Sequence, residues 1–356
     1  MVRGSEVVSG EPVLGYPIVV GAKALDRVAA IARERGYRRA VVLADANVES
    51  HARRAAAGFG GEAPLRTFVL GEERKTLATL GAVYDALAEL EVDRGTLVVG
   101  VGGGVAGDLF GFAAATFMRG VPFLNVPTSL VAMVDAAIGG KTAVDLPAGK
   151  NLAGAFADPV AVVSDVRTLE TLPPAQIREG LGEMVKHAVL DGEETFAQLE
   201  HWASEPFERW PWAELIERNV RVKAAVVARD RLEHGDRELL NLGHTFAHAF
   251  ERVSHYALSH GSAVAVGLRA AGIAARSWGP WPEGDQRRVV ALLRALELPT
   301  SYPGLDVDGV LAAMRVDKKR REGRLRFVLP RALGDVVSGV ELDDAMVRGA
   351  VERCTR

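Results

Sequence analysis

Apolar and polar positions alternate between strand-like and helix-like patterns through the first part of the chain. Short apolar runs predict strands at 13–20, 40–44, 65–70, 96–101, 123–126 and 161–164. Helical spacing predicts helices between them, including 24–35, a run ending at Leu90 and one ending near Met118. Strands that alternate with helices form mostly parallel sheets with right-handed crossovers. We therefore expect an α/β domain here.

Helical periods dominate after Leu172-Pro173-Pro174, which interrupts the pattern. The predicted helices are 175–190, 193–202, 213–229, 236–252, 261–277 and 284–296, and the Trp/Pro-rich piece 202–212 is interpreted as a connection between helices. The change of character places a boundary near residue 170. The pattern therefore predicts an α/β domain at 1–170 and an all-α domain at 171–356.

The predicted strand at 96–101 runs into Gly102-Gly103-Gly104-Val105-Ala106-Gly107-Asp108, and a helical pattern follows. Glycines between a strand and a helix allow backbone N–H groups to approach a phosphate, which favours a Rossmann-like nucleotide-binding domain. The dinucleotide fingerprint also needs an acidic residue about 20 residues further on. That element is missing, since the next acid after Asp108 is Asp135. A simple tight turn therefore stays open as an alternative.

Unusually polar residues follow this loop within Gly/Ala-rich surroundings, which favours the wall of a cleft over a solvated face. They are Arg119, Asn125, Thr128, Ser129, Asp135, Lys141, Thr142, Asp145, Lys150 and Asn151. Earlier in the chain, Asp45 and Asn47 end a predicted strand, where they could face a ligand or form an Asx turn or a helix N-cap. Glu72 and Lys75 follow another strand. Their spacing favours an ordinary surface pair, although a ribose or phosphate clamp is possible.

Five of the eight histidines lie between 234 and 260. His244 and His248 share one face of a predicted helix, and His260 opens the next. A single histidine is commonly a core residue, but this density favours a metal site. Glu183, which is three residues from Lys186 in an apolar, glycine-rich segment, is the best additional carboxylate ligand. We therefore expect a metal-binding helical domain and a lysine-lined cleft between the domains.

Composition limits the classes of function. The length of 356 residues favours two domains, and the net charge of −3 gives no argument for nucleic acid or an anionic membrane. No signal-peptide segment or membrane-length apolar run is present, and the single Cys354 cannot form an internal disulfide, so a cytoplasmic enzyme is expected. Only 8 of the 43 Lys and Arg residues are lysine. Seven of these eight lie in motifs or at positions that the family resemblance described below assigns to ligand binding, which suggests sites where a compact ammonium is needed.

The motifs together resemble the 3-dehydroquinate synthase family over nearly the whole chain. The resemblance rests on segments 102–108, 134–144, 149–151, 183–186, 240–248, 260–264 and 317–319. It implies NAD+ and a divalent metal, usually Zn2+ with Co2+ possible, and a homodimer. The implied reaction converts 3-deoxy-D-arabino-heptulosonate 7-phosphate into 3-dehydroquinate and phosphate.

The resemblance also implies roles for individual residues. The metal ligands would be Glu183, His244 and His260. The NAD+ positions would be Asp45, Asn47, Gly71, Glu72, Lys75, Gly103, Gly104, Asp108, Thr128, Ser129, Lys141, Lys150, Thr168 and Thr171. The substrate positions would be Arg119, Asp135, Lys141, Asn151, Lys186, Lys223, Arg237, Asn241, His248 and one or both of Lys318 and Lys319. His248 is a candidate proton relay.

Three positions depart from the family pattern: Ser129 replaces a common Thr, Asp145 a frequent Asn, and Ser262 a common Glu. The last change removes a possible carboxylate beside the metal. Alternative functions are a related cyclase acting on sedoheptulose 7-phosphate or glucose 6-phosphate, a metal-dependent polyol dehydrogenase, and a non-enzymatic binding protein. The basic run 318–321 favours a solvated face or a lysine that reaches the substrate over a nucleic-acid patch.

Overall fold

The computed structural model describes residues 7–9, 11–61, 63–320 and 325–356, with side chains described at 13–61, 63–315 and 325–356. The chain divides into two compact units. The first consists of 1–173 and 211–228, and the second of 174–210 and 229–356. In the described part of the chain, no helix combines the length and the apolar character needed to cross a membrane.

The first unit is built on a seven-stranded sheet. Its strands are β1 (Val7–Ser9), β2 (Ile18–Gly21), β3 (Ala40–Asp45), β4 (Leu65–Phe68), β5 (Leu97–Gly102), β6 (Phe123–Pro127) and β9 (Val162–Asp165). Between β6 and β9 in the sequence, β7 (Lys141–Leu146) and β8 (Gly149–Phe156) form a separate two-stranded antiparallel sheet. Their order across the sheet is β1-β2-β9-β6-β5-β3-β4. Within this sheet β1 is antiparallel to β2 and the other described strand pairs are parallel, which confirms the predicted α/β sheet.

The helices are α1 (Glu11–Leu14), α2 (Val28–Glu34), α3 (Glu49–Ala57), α4 (Leu77–Glu89), α5 (Gly104–Thr116), α6 (Pro174–Asp191), α7 (Glu193–Ala203), α8 (Trp212–Arg229), α9 (His244–Val253), α10 (His260–Trp278), α11 (Glu283–Ala295), α12 (Val307–Arg320) and α13 (Asp344–Cys354). In the first unit, α2 and α3 pack on one face of the sheet and α4 and α5 on the other, because Val28 and Ala52 join one core cluster while Val83 and Phe110 join the other. The predicted strand at 13–20 begins only at Ile18. α1 and a turn at Gly15, with φ 82°, occupy the preceding positions.

The second unit is helical, as predicted, and also contains an antiparallel hairpin of β10 (Phe327–Ala332) and β11 (Asp335–Val340). α10 is its central helix and contacts α6, α9 and α13. Alanine and glycine make up much of its buried surface, which allows close helix approach. A Cβ at Gly182 would lie 2.5 Å from the carbonyl oxygen of Gly261, so α6 and the start of α10 meet backbone to backbone.

Candidate cofactor and metal sites

The glycine-rich loop of the first unit has the predicted strand–turn–helix geometry. β5 ends at Gly102, Gly103 is extended, and α5 begins at Gly104. A Cβ on Gly102 would overlap that of Ala106 and lie 3.3 Å from the Cβ of Asp45. The first-turn N–H groups of a helix have no partner within that helix. The loop can therefore present backbone donors to an anion at the carboxyl edge of the sheet.

Asp45 ends β3, the neighbour of β5 in the sheet. Its Oδ1 accepts a hydrogen bond from the backbone N–H of Asn47 at 3.0 Å and caps the 3-10 helix Ala46–Val48. The Asx-turn interpretation is therefore confirmed, while a ligand role for these two residues stays a prediction. Burial raises the pKa of Asp45, although the hydrogen bonds from Asn47 and Leu70 oppose this shift.

Lys75 and Glu72 have different partners, so their interpretation as a mutual surface pair is wrong. The side chain of Lys75 is buried, and its ammonium contacts the carboxylate of Asp108 and, at 2.5 Å, Oδ1 of Asn151. The Oε1 of Glu72 instead lies 2.8 Å from Nζ of Lys150. Burial raises the pKa of Asp108 despite the nearby Lys75 ammonium. One buried cation thus contacts two residues, Asp108 and Asn151, that are distant from it and from each other in the sequence.

Thr128 and Ser129 follow β6, and the N–H of Thr128 donates to the carbonyl of Gly102 at 2.9 Å. The Oγ of Ser129 is buried without a hydrogen-bond partner among the described residues, and a Cβ on Gly103 would lie 3.2 Å from it. Buried hydroxyls are normally paired. This hydroxyl therefore faces the glycine loop with its hydrogen-bonding capacity available.

Thr168 and Thr171 lie in the 3-10 helix Val166–Thr171, which follows β9. Buried Asp165 holds this segment, because its carboxylate accepts from the backbone N–H groups of Arg167 and Lys23, each at 3.1 Å. The Oγ1 of Thr171 lies 2.9 Å from Nε2 of His51. Both threonines therefore occupy the carboxyl edge of the sheet as well.

The predicted substrate residues of the first unit are only partly brought together. Lys223, on α8, is buried and places its Nζ 2.8 Å from Oδ1 and 2.6 Å from the carbonyl oxygen of Asp135. The backbone N–H of Asn151 donates to Asp145 at 2.8 Å. Lys141 is exposed at the first position of β7. Arg119 has φ 66°, is exposed, and makes no hydrogen bond or ion pair with a described residue.

The second unit brings the three predicted metal ligands together. Glu183 on α6 is fully buried, and its Oε1 lies 3.4 Å from Nε2 of His244 and 3.2 Å from Nε2 of His260. One ligand atom from each residue lies within 4.8 Å of the others. Two imidazoles and one carboxylate are a ligand set of open catalytic zinc sites.

Electrostatics around Glu183 favour its anionic form. Burial opposes ionisation, but Lys186 and His244 outweigh it and hold the pKa of this carboxyl well below its usual range. The Oε2 of Glu183 forms an ion pair with Lys186, which is itself buried. The site therefore presents a charged carboxylate as a hard ligand.

The outer nitrogens of both imidazoles also have partners. Nδ1 of His244 lies 3.2 Å from the carbonyl oxygen of Leu242, and Nδ1 of His260 lies 3.3 Å from Oε1 of Glu251. The side chain of His260 is 40% exposed. Desolvation would lower its pKa, but hydrogen bonds with Glu183 and Glu251 raise it to about 10. In both rings Nε2 is the nitrogen that faces Glu183.

The remaining substrate positions of the second unit lie close to α9. Arg237 is buried, and its guanidinium donates to the carbonyl of Arg231 at 2.5 Å. Asn241 donates to Glu233 at 3.3 Å, and the ring of His248 lies edge-to-face on that of His244. The side chains of Lys318 and Lys319 lie outside the described residues, although α12 includes their backbone.

Several residues around these sites were not predicted from the sequence: His51, Asp165, Glu179, Glu233 and Glu251. A signal existed for two of them. Glu251 follows His248 by three positions, so helical spacing places both on one face. Asp165 directly follows a predicted strand, where polar residues meet ligands or cap the next segment. The roles of His51 and Glu179 depend on contacts with distant segments.

Comparisons with known proteins agree with this arrangement. Residues 66–179 match the family model described as 3-dehydroquinate synthase N-terminal, and residues 180–320 match the model described as 3-dehydroquinate synthase C-terminal. A relative from Xanthomonas oryzae pv. oryzae named 3-dehydroquinate synthase is 43% identical over 356 residues, which cover 95% of this chain and 96% of that protein.

Solved structures of sugar phosphate cyclases have the same fold. The 2-epi-5-epi-valiolone synthase of Streptomyces hygroscopicus subsp. jinggangensis, with NAD+ and Zn2+ bound, gives a TM-score of 0.86 at 28% identity and covers 99% of both chains. A 2-deoxy-scyllo-inosose synthase complexed with carbaglucose-6-phosphate, NAD+ and Co2+ gives 0.83 at 26% identity, with 95% of this chain and 97% of that chain covered.

Proposed function

Because the chain belongs to the 3-dehydroquinate synthase family, we propose that it converts 3-deoxy-D-arabino-heptulosonate 7-phosphate into 3-dehydroquinate and phosphate, with NAD+ and a divalent metal such as Zn2+ or Co2+. The observation that carries this proposal is the ligand set around Glu183. One buried carboxylate oxygen faces the Nε2 atoms of His244 and His260, while the other oxygen pairs with Lys186.

The second unit fits a divalent metal, which Glu183, His244 and His260 would hold. Their donor atoms converge, and the outer contacts from Leu242 and Glu251 favour imidazoles whose Nε2 is available as a ligand. When bound, the metal supplies Lewis-acid polarisation of a substrate hydroxyl or carbonyl oxygen.

The first unit fits a dinucleotide. The glycines of the loop have no side chains, and a Cβ at Gly102 or Gly103 would crowd Ala106 or Ser129. The buried hydroxyl of Ser129 has no hydrogen-bond partner among the described residues. The proposed NAD+ residues are Asp45, Asn47, Gly71, Glu72, Lys75, Gly103, Gly104, Asp108, Thr128, Ser129, Lys141, Lys150, Thr168 and Thr171. When bound, NAD+ supplies reversible hydride transfer.

The cationic residues of the chain would orient the substrate. We assign Lys186, Lys223 and Arg237 to the phosphate and carboxylate, because ammonium and guanidinium groups make strong charge-assisted hydrogen bonds with both. All three side chains are buried, so folding has already removed much of the water that would surround them. Less water then has to be displaced when the substrate binds. Burial also keeps each cation where water competes weakly for its ligand.

Polar and exposed residues complete the proposed substrate set: Arg119, Asp135, Lys141, Asn151, Asn241, His248 and one or both of Lys318 and Lys319. An imidazole nitrogen of His248 would relay a proton. We assign no residue as the sole general base, since the phosphate of the substrate can itself accept a proton. A homodimer is part of the same proposal, and sedimentation would test it.

Phosphate release tests the proposed function. The full chain is incubated with 3-deoxy-D-arabino-heptulosonate 7-phosphate, with and without NAD+, before and after chelation, and with metal restored. The proposal predicts phosphate only when both NAD+ and metal are present. Release from sedoheptulose 7-phosphate alone would indicate the related cyclase, and NADH formation from glycerol without phosphate would indicate a polyol dehydrogenase. No turnover and no metal binding would indicate a binding protein.

A further inference from the structure

A second carboxylate lies beside His260. Glu251, on α9, is only 6% exposed, and its Oε1 is 3.3 Å from Nδ1 of His260. The other ring nitrogen, Nε2, lies 3.2 Å from Glu183. Each nitrogen of this imidazole therefore faces a different buried carboxylate, one from α6 and one from α9.

When His260 binds a metal as a neutral imidazole, its contact with Glu251 would select one tautomer. A neutral imidazole carries one hydrogen, and a nitrogen that binds metal must offer its lone pair. If the hydrogen resides on Nδ1, it can be donated to Glu251 while Nε2 is free for a metal. The buried carboxylate of Glu251 needs a hydrogen-bond donor to offset the cost of its burial. The carboxylate therefore favours the ring orientation in which Nδ1 of His260 donates to it.

The backbone of His260 is fixed from another side by Glu179 on α6. The backbone N–H of Gly261 donates to Oε2 of Glu179 at 2.6 Å, and Ser259 Oγ donates to Oε1. The hydroxyl of Ser262 lies 3.0 Å from that of Ser259 and extends this network. Glu179 therefore caps the start of α10, where the first N–H groups need acceptors.

We propose that Glu251 is a positioning residue that fixes the ring of His260 and thereby sets the affinity of the site for its divalent metal. The inference rests on the proposed metal-dependent function. The carboxylate beside the outer nitrogen of His260 comes from Glu251, and the hydroxyl of Ser262 belongs to the network of Glu179.

Metal affinity tests this assignment. Co2+ and Zn2+ dissociation constants are measured by chelator competition on the full chain, together with the visible absorption spectrum of bound Co2+. Glu251→Ala is expected to weaken binding by about 10- to 100-fold, the usual effect of losing an outer partner of a ligand. Glu251→Gln keeps an acceptor oxygen and should lose less. Glu217→Gln, at a carboxylate of equal 6% exposure in the first unit, is the control and should bind like the wild type.

A double-mutant cycle separates positioning from general stability. Glu251→Ala should add no further loss of affinity in a His260→Ala background, because the ring it orients is absent. If Glu251→Ala does not fold, the same cycle is run with Glu251→Gln. Wild-type affinity and an unchanged Co2+ spectrum in the folded Glu251 variant, or equal losses in both backgrounds, would overturn the inference. A wild-type chain that binds no divalent metal would instead overturn the proposed function.

Discussion

Nζ of Lys75 and Oδ1 of Asn151 lie 2.5 Å apart, although 76 positions separate these residues in the sequence. Lys75 follows β4, and Asn151 lies on β8 with φ 55°, a left-handed conformation that asparagine tolerates better than most residues. The backbone N–H of Asn151 is held by Asp145 at 2.8 Å. Lys75 thus holds the side chain of Asn151, and Asp145 holds its backbone.

The first prediction concerns Lys75. Lys75→Met should destabilise the chain by about 3 kcal/mol, because it leaves the carboxylate of Asp108 largely buried without its cation. The same change should weaken NAD+ binding. Lys75→Arg should restore the charge but not the binding, since a planar guanidinium does not fill the place of a compact ammonium. Urea unfolding and NAD+ titration would measure both effects, and wild-type NAD+ affinity in Lys75→Met would contradict the assignment.

The second prediction concerns the glycine loop. Gly102→Ala should weaken NAD+ binding and cost about 1–3 kcal/mol in unfolding free energy, because its methyl group would overlap Ala106 and crowd Asp45. Gly81→Ala is the matched control on α4. A Cβ there meets nothing within 4 Å, so that variant should be more stable by about 0.5–1 kcal/mol. Equal stability of the two variants in urea would contradict this account.

The third prediction concerns protons released on metal uptake. In the metal-free protein, Glu183 and Glu251 raise the pKa of His260 to about 10, so the ring is protonated at pH 7.5. A metal ligand must be neutral imidazole, and Zn2+ must therefore displace that proton. Metal affinity should rise with pH up to about 10. An indicator dye in weak buffer would follow the released protons.

His260→Ala is the control for this measurement. It should lower both the metal affinity and the number of protons released per bound Zn2+. Proton release that is the same in this variant and in the wild type at pH 7.5 would show that the displaced proton belongs to another group.

The fourth prediction concerns Cys354, which is fully buried at the end of α13. Burial raises the pKa of its thiol to about 12. At pH 8 the reactive thiolate should be roughly 10⁻⁴ of the total, and access is blocked as well. Thiol reagents should therefore label the native chain slowly and the urea-unfolded chain rapidly. Fast labelling of the native chain would show that α13 opens readily.

The sequence predicted the elements with strong periodicity well. Strands such as β3 and β5 are continuous apolar runs because parallel strands are covered on both faces. The hairpin of β10 and β11 was not predicted, because the strong apolar periodicity in the second half of the chain is helical. Residues such as Glu183 and His260 were predicted through motif resemblance together with local histidine density.

Partners set by distant contacts could not be read from the sequence. The spacing of Glu72 and Lys75 suggested a surface pair, but in the structure the ammonium of Lys75 contacts Asp108 and Asn151. Likewise, nothing in the local sequence of Glu179 indicates that it accepts from Gly261. Such contacts depend on how segments pack, which local propensity does not determine.

The stoichiometry of phosphate and NADH distinguishes a cyclising lyase from a dehydrogenase. The metal-loaded chain is given 3-deoxy-D-arabino-heptulosonate 7-phosphate in large excess over NAD+, and phosphate and absorbance at about 340 nm, the NADH band, are recorded together. We expect many phosphates released per NAD+ with no accumulation of NADH, because NAD+ would be regenerated in each turnover. Phosphate that stops at one equivalent of NAD+, with matching NADH, would contradict this expectation.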